Sequence, residues 1–137
     1  HFKNIEVVGT QVTIVGHTQS ECFSNRGGNN NIYENLSMHD GMGIGFYLVK
    51  GAGNLILNCD AYNNYDTVSD GGKGGNVDGF GGHPDNNGSG NVFRGCRAWW
   101  NSDDGFDLIH PNAIQHAFQN VSPSDCSGWF RSCGYAI

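Results

Sequence analysis

The chain has 137 residues, of which 22 are glycine and only 3 proline, and a formal charge of −6. This balance leaves no basic stripe to neutralise phosphates, which excludes a nucleic-acid backbone as partner. No stretch approaches the ~20 apolar residues of a membrane span. Short aliphatic runs broken by glycine and asparagine, with no long run of helix formers, describe an all-β protein rich in tight turns.

In chain order, the opening "HFKNIEVVG" reads as a strand with Ile5 and Val7 inward. "ENLSMHDGMGIGFYL" follows, with Leu36 and Met38 inward, His39 next, and a strand over Gly43–Leu48. "NLIL" (Asn54–Leu57) is a third kind of strand, and "NCDAYNNYD" brings Cys59 and Ala61 inward with Tyr62 behind them. The stretch "NNYDTVSDGGKGGN" has turn and loop chemistry throughout. "VDGFGG" (Val77–Gly82), "NVFR" (Asn91–Arg94) and "GCRAWWNSDDGFDL" repeat the three kinds, now with Cys96 and Ala98 inward and Trp99 following. "DCSGWFRSCGYAI" offers one more copy, with Cys126, Gly128 and Trp129.

The repeat has a measurable period. Leu36 to Cys59 is 59 − 36 = 23 residues, Cys59 to Cys96 is 96 − 59 = 37, and Cys96 to Cys126 is 126 − 96 = 30. A base period of 23 with loop insertions is the mark of a solenoid. Three short strands per turn of that length describe a parallel β-helix of about five to six coils. Phe46, Phe80 and Phe106 align in one inward stack, and Tyr47, Gly81 and Asp107 in the column after it. Asn64 and Asn101 fall at matching turn positions, where stacked amides satisfy one another. A β-sandwich of hairpins competes with this reading, but it asks for two-residue Asn-Gly turns between paired runs. The one such pair, Asn87-Gly88, sits inside a long loop. Both ends of the sequence fall in mid-pattern. The expectation is therefore that residues 1–137 are part of a single β-helix catalytic domain, truncated at both ends.

Cysteine stands at positions 22, 59, 96, 126 and 133. An odd count cannot pair completely, no CxxC occurs, and buried apolar thiols are the expectation for most. Asn35, Asn87 and Asn120 open Asn-x-Ser sequons, which arise readily by chance.

The stretch "NSDDGFDLI" places Asp103, Asp104 and Asp107 within one turn and the strand after it. Asp78 and Asp104 each stand two residues before a stacked phenylalanine, so they occupy one position in neighbouring coils, ~4.8 Å apart at the backbone. Four carboxylates then converge at one corner and repel one another unless a cation joins them. Hard oxygen ligands on a turn suit Ca²⁺. A solvated acidic corner is the competing reading. A faint echo of calcium-binding glycine-aspartate repeats in "GGKGGNVD" occurs once, whereas such sites need tandem copies.

"NCDAYNNYD", "NVDGFGGH" and "GNVFRGCRAWWNSDDGFDL" together resemble polysaccharide lyase family 9, over about Asn31 to Leu108. The resemblance implies a right-handed parallel β-helix and a calcium ion held by Asp78, Asp103, Asp104 and Asp107. It also implies a secreted enzyme that cleaves pectate, polygalacturonate or rhamnogalacturonan by β-elimination; a monomer is the separate expectation. The family's base is a lysine in a Gly-Phe-Lys-Leu-like strand downstream of the aspartates. No lysine follows Lys73 here, and Lys3, Lys50 and Lys73 do not match that strand; Arg131 lies at a turn. The expectation is a chain with the calcium half of the site and without the lysine. His83 in "GGHP", close in sequence to Asp78, is the candidate substrate-binding residue, with a role as base as its other reading. Two other readings are a non-catalytic, calcium-dependent carbohydrate-binding β-helix and a purely structural solenoid, which gives no reason for converging aspartates.

Overall fold

The computed structural model describes residues 1–10, 21–68, 72, 74–83 and 89–108, and the backbone of 114–117. The described elements are thirteen short strands: β1 (Phe2–Lys3), β2 (Glu6–Val8), β3 (Phe23–Arg26), β4 (Ile32–Glu34), β5 (Ser37–His39), β6 (Phe46–Lys50), β7 (Leu55–Leu57), β8 (Asp60–Tyr62), β9 (Phe80–Gly82), β10 (Asn91–Arg94), β11 (Arg97–Trp99), β12 (Phe106–Leu108) and β13 (Ile114–Ala117). They form three parallel sheets, ordered β1-β4-β7-β10-β13, β2-β5-β8-β11 and β3-β6-β9-β12. Each coil gives one strand to each sheet, and each strand pairs with its counterpart one coil away. This is the parallel β-helix that the repeat predicts.

The register agrees with the sequence alignment at each aligned pair it describes. Met38 pairs with Ala61 and Ala61 with Ala98; Phe46 pairs with Phe80 and Phe80 with Phe106; Tyr47 and Asp107 both pair with Gly81. The interior holds Leu36, Met38, Phe46, Leu48, Ile56, Cys59, Ala61, Phe80, Phe93, Cys96 and Ala98, and Ile5 and Val7 pack against them. Phe80 stacks on Phe106 with ring centroids 4.9 Å apart and meets Phe93 edge-on at 6.0 Å. Outside the second sheet, His39, Tyr62 and Trp99 stack at 4.6 and 4.5 Å.

Three structural details go beyond the alignment. Strands β1, β3 and β4 have no separate place in the sequence reading, and β13 continues the first sheet 23 residues after β10, by the pairing of Asn91 with Ile114. The aligned copy at Cys126–Trp129 lies outside the described residues. The strands expected at Gly43, Val77 and Asp103 begin at the phenylalanines instead, and the residues before them are turns. A close approach between coils sets that boundary: a Cβ on Gly79 would lie 2.7 Å from both the Gly105 carbonyl oxygen and the Ala98 Cβ. Gly45 and Gly79, each just before its phenylalanine, let successive turns stack in this way.

The corners explain the asparagine content. Asn4, Asn35, Asn58 and Gly95 occupy one corner in successive coils, all with φ between 51° and 64°. Asp40, Asn63 and Trp100 occupy a second, and Asn30, Gly53 and Gly90 a third. Asparagine, aspartate and glycine tolerate this left-handed region, whereas Trp100 is an outlier there. Behind two corners run buried amide ladders. Asn64 Nδ2 donates to Asn101 Oδ1 at 2.9 Å, as the matching turn positions suggest, and Asn54 Nδ2 donates to Asn91 Oδ1 at 2.9 Å.

The thiols test the register. Cys59 and Cys96 are buried, and Cys96 Sγ donates to the Ile56 carbonyl at 3.4 Å. Burial pushes the Cys96 thiol well above its ordinary pKa. A thiol reagent at pH 8 is expected to label Cys96 only as fast as the protein unfolds, because the thiolate is the nucleophile. Rapid labelling of the folded protein would place this face outward and refute the register.

Candidate metal centre and substrate cleft

The turn before β9 carries Asn76, Val77 and Asp78, and the equivalent turn before β12 carries Ser102, Asp103 and Asp104. The two are tied together by backbone bonds. Gly79 N donates to Asp104 O at 2.9 Å and Asp103 N to Val77 O at 3.2 Å. Parallel stacking therefore superposes the aspartates of one turn on those of the next. Asp78, Asp103 and Asp104 each offer a carboxylate oxygen, and these atoms lie within 4.8 Å of one another. Asp78 is 3% exposed.

Backbone N–H groups partly hold the cluster. Asp104 N donates to Asp78 Oδ1 at 3.1 Å, and Asn76 N donates to Asp103 Oδ2 at 2.7 Å. These bonds do not offset the burial of Asp78. Burial first, then the charges of Asp107, Asp103 and Asp104, raise its carboxyl pKa to about 7. A cation fits this donor set on two counts: the donors are hard carboxylate oxygens, and one of them is buried with its charge disfavoured. Ca²⁺, which takes about 6–8 oxygens in flexible geometry, matches better than an ion with stricter geometric demands.

Asp107 stands apart from these three. Its position on β12 faces outward from the third sheet, in the column of Tyr47 and Gly81. Its Oδ2 lies 3.4 Å from His83 Nε2. The other ring nitrogen, Nδ1, is 2.9 Å from the Tyr47 hydroxyl, and the two rings meet edge to face at 5.1 Å. The arrangement suits the imidazole protonated on Nε2: Tyr47 donates to Nδ1, and Nε2–H points at Asp107. His83 is thus held from both sides in the wall of a cleft of about 240 Å³, which Glu21, Ile44, Tyr47, Asn76, Asp78, His83 and Asp107 line. The cleft opens directly beside the carboxylate cluster, because Asp78 and Asp107 belong to its wall.

Sequence reasoning missed the contributions of Tyr47 and Glu21. Tyr47 was visible as the column partner of Asp107, but its hydroxyl partner His83 follows β9 on a neighbouring coil. Burial and the charge of Glu21 raise the Tyr47 phenol above its ordinary pKa. Glu21 reaches the rim from the segment before β3, where it pairs with Arg26 at 2.7 Å. Lys3 pairs with Glu34 at 2.9 Å, between the first and second strands of the first sheet, away from the cluster. Lys73 and Arg131 lie outside the described residues.

Residues 1–131 match the family model described as "Pel9A-like, right handed beta helix region". Pectate lyase L of Dickeya chrysanthemi is 45% identical over 110 residues, which cover 80% of this chain and 23% of that protein. Pectate lyase PEL9 of Emericella nidulans is 36% identical over 115 residues, covering 76% of this chain and 27% of that protein. A solved structure of a rhamnogalacturonan lyase is similar with 68% identity and a TM-score of 0.68, over 75% of this chain and 26% of that one. The chain thus spans about a quarter of the length of these relatives. With its three-sheet parallel helix and its match along nearly all its length, the chain belongs to the Pel9A-like right-handed β-helix family.

Proposed function

We propose that this chain is a segment of the catalytic β-helix of a secreted, calcium-dependent polysaccharide lyase that cleaves uronate-containing pectic polymers by β-elimination. The observation that carries the reading is the convergence of Asp78, Asp103 and Asp104, one of them buried, on stacked turns of adjacent coils. The pectate and rhamnogalacturonan lyases among its relatives support the substrate class.

Elimination removes the proton on C5 of a uronate, beside the C6 carboxylate. That proton is hard to remove while the carboxylate keeps its full charge. Bound calcium would neutralise the carboxylate and stabilise the negative charge that grows on it during proton loss. Asp78, Asp103 and Asp104 would hold the ion, and Asp107 would complete the set from the cleft side. Tyr47 holds His83, and His83 in turn reaches Asp107, which would fix the Asp107 side chain and close one wall of the cleft; His83 would then be a positioning and substrate-contacting residue.

The test is the ultraviolet absorbance of the conjugated 4,5-unsaturated uronate product, measured on the protein that carries this chain. Product is expected with calcium and polygalacturonate or rhamnogalacturonan. It should be lost on chelation and in Asp104→Ala. A calcium-independent rate, or an Asp104→Ala variant with wild-type turnover, would refute the proposal. Calcium-dependent retention on the polymer without any product would favour a binding module instead.

A further inference from the structure

We infer that Ser102 is a positioning residue for the metal centre: it clamps an insertion between β8 and β9 onto the turn that carries Asp103 and Asp104. The inference rests on the calcium-dependent lyase reading and names a residue outside the carboxylates on which calcium affinity depends.

The insertion is measured by the ladders on either side of it. Asn64 and Asn101 are bonded neighbours in adjacent coils, and Phe80 pairs with Phe106, so Asp78 and Asp104 are equivalent two residues earlier. From Asn101 to Asp104 is 104 − 101 = 3 residues, whereas from Asn64 to Asp78 is 78 − 64 = 14, an insertion of 14 − 3 = 11. The earlier coil thus makes an excursion just before it reaches the carboxylates. Ordering such a loop costs conformational entropy, so its ends need anchors. Where it sets out, Tyr65 N donates to Gly41 O at 2.8 Å.

Ser102 holds both ends at once. Its N–H donates to Asn64 O at 3.0 Å, where the insertion leaves, and its Oγ donates to Gly74 O at 2.6 Å, where the insertion returns. Gly74 is buried with φ 74°, and a Cβ there would lie 2.5 Å from Ser102 Cβ and 2.6 Å from Ser102 Oγ. Two residues further on, Asn76 N donates to Asp103 Oδ2 at 2.7 Å. Ser102 and Asp103 are adjacent in sequence, so hydroxyl and carboxylate grip the same returning leg at two points. The bond from Asn76 takes one lone pair of the Asp103 carboxylate and leaves the others for a cation. It also orients that carboxylate before an ion arrives, and a ligand group already oriented loses less freedom on binding. Without the Ser102 hydroxyl the leg loses the first grip, and calcium must order the leg and Asp103 together.

Calcium titrated calorimetrically into the chelator-treated protein that carries this chain decides the matter. Ser102→Ala is expected to raise the calcium Kd on the order of tenfold, with unchanged stoichiometry, since every carboxylate remains. Gly74→Ala drives a methyl group into the same contact and should raise Kd by a similar factor. The double variant should be no weaker than the weaker single one, because both changes break one clamp. A merely structural serine gives a different pattern: the calcium-free protein unfolds at lower denaturant, and the calcium Kd stays where it was. Since Gly74→Ala strains the backbone and could disturb the fold, Ser102→Ala carries the test by itself. A Kd within about twofold of wild type in Ser102→Ala would overturn the positioning role and leave the lyase reading standing. Losses that multiply in the double variant would overturn it as well. Failure of the wild-type protein to bind calcium would overturn the lyase reading and the positioning role with it.

Discussion

In the presence of a chelator, the protein is expected to be less stable at pH 8 than at pH 5, and calcium is expected to reverse that loss. The cause is Asp78. Its carboxyl pKa is raised from 3.8 to about 7 in the folded state, chiefly by burial. Between these values the unfolded chain has released the proton and the folded chain still holds it. The folded state therefore binds more protons, and stability falls as pH rises through that window. The whole penalty is on the order of 4 kcal/mol, and roughly 3 kcal/mol of it falls between pH 5 and pH 8. Asp78→Asn removes this titrating group, so its stability should fall much less over the same range, the remainder coming from His39, whose pKa burial lowers but Asp40 and Glu6 raise further. Calcium replaces the proton as the partner of the carboxylate. Its stabilisation at a hundredfold excess over Kd, about 2.7 kcal/mol, should be larger at pH 8 than at pH 5 and absent in Asp104→Ala. Denaturant unfolding of the three proteins, with and without calcium, reads all of these effects. Parallel pH curves for wild type and Asp78→Asn would show that Asp78 is not the buried charge assigned here.

The helix was legible because its physics is periodic. Small or apolar residues at Leu36, Cys59 and Cys96 mark one corner of successive coils, and Gly-Phe at 45–46, 79–80 and 105–106 marks another. Parallel pairing turns such recurrences into neighbours, so Asp78 and Asp104 could be placed together without any coordinates. The cleft was not legible, for the same reason. Glu21 and His83 belong to segments that vary from coil to coil and repeat nothing. That Tyr47 bonds to His83 depends on how the chain leaves β9 at His83, and period carries no information about it. The position of Asp107 shows the intermediate case. Its column was evident from the Phe106 alignment, but its side chain has two possible neighbours, the cluster and His83, and only three-dimensional packing separates them. The stacked-amide reading of asparagine holds for Asn35 Nδ2 on Asn4 Oδ1 too, at 3.0 Å, but it left out that Asn4, Asn35 and Asn58 also serve a left-handed backbone.

Asn63 and Asn64 turn that distinction into a measurement, for they are adjacent, chemically identical and expected to respond in opposite ways. Asn63 is exposed and sits at φ 54°. Glycine adopts that conformation freely, so Asn63→Gly should change stability by no more than about 0.5 kcal/mol once its hydrogen bond to Asp40 is lost. Asn64 is fully buried in the ladder. Its Oδ1 accepts from Gly41 N at 3.0 Å and Cys22 Sγ at 3.4 Å, and its Nδ2 donates to Asn101 Oδ1 at 2.9 Å and Met38 O at 3.4 Å. Asn64→Ala leaves at least Gly41 N–H and Met38 C=O without these partners. At about 1–3 kcal/mol for each buried group left unsatisfied, the expected loss is roughly 2–6 kcal/mol. Asn64→Asp sharpens the test, because the shape is kept and only the donor is removed. An ionised carboxylate would face the oxygens of Asn101 and Met38, a buried repulsion, while a protonated one could still donate to one of them. The aspartate variant should therefore be at least as unstable as the alanine variant above pH 7 and recover in part as the pH falls toward 5. Thermal or denaturant unfolding of the three variants reads these differences. Equal, small losses in all of them would mean that the ladder contributes nothing to holding the coils together.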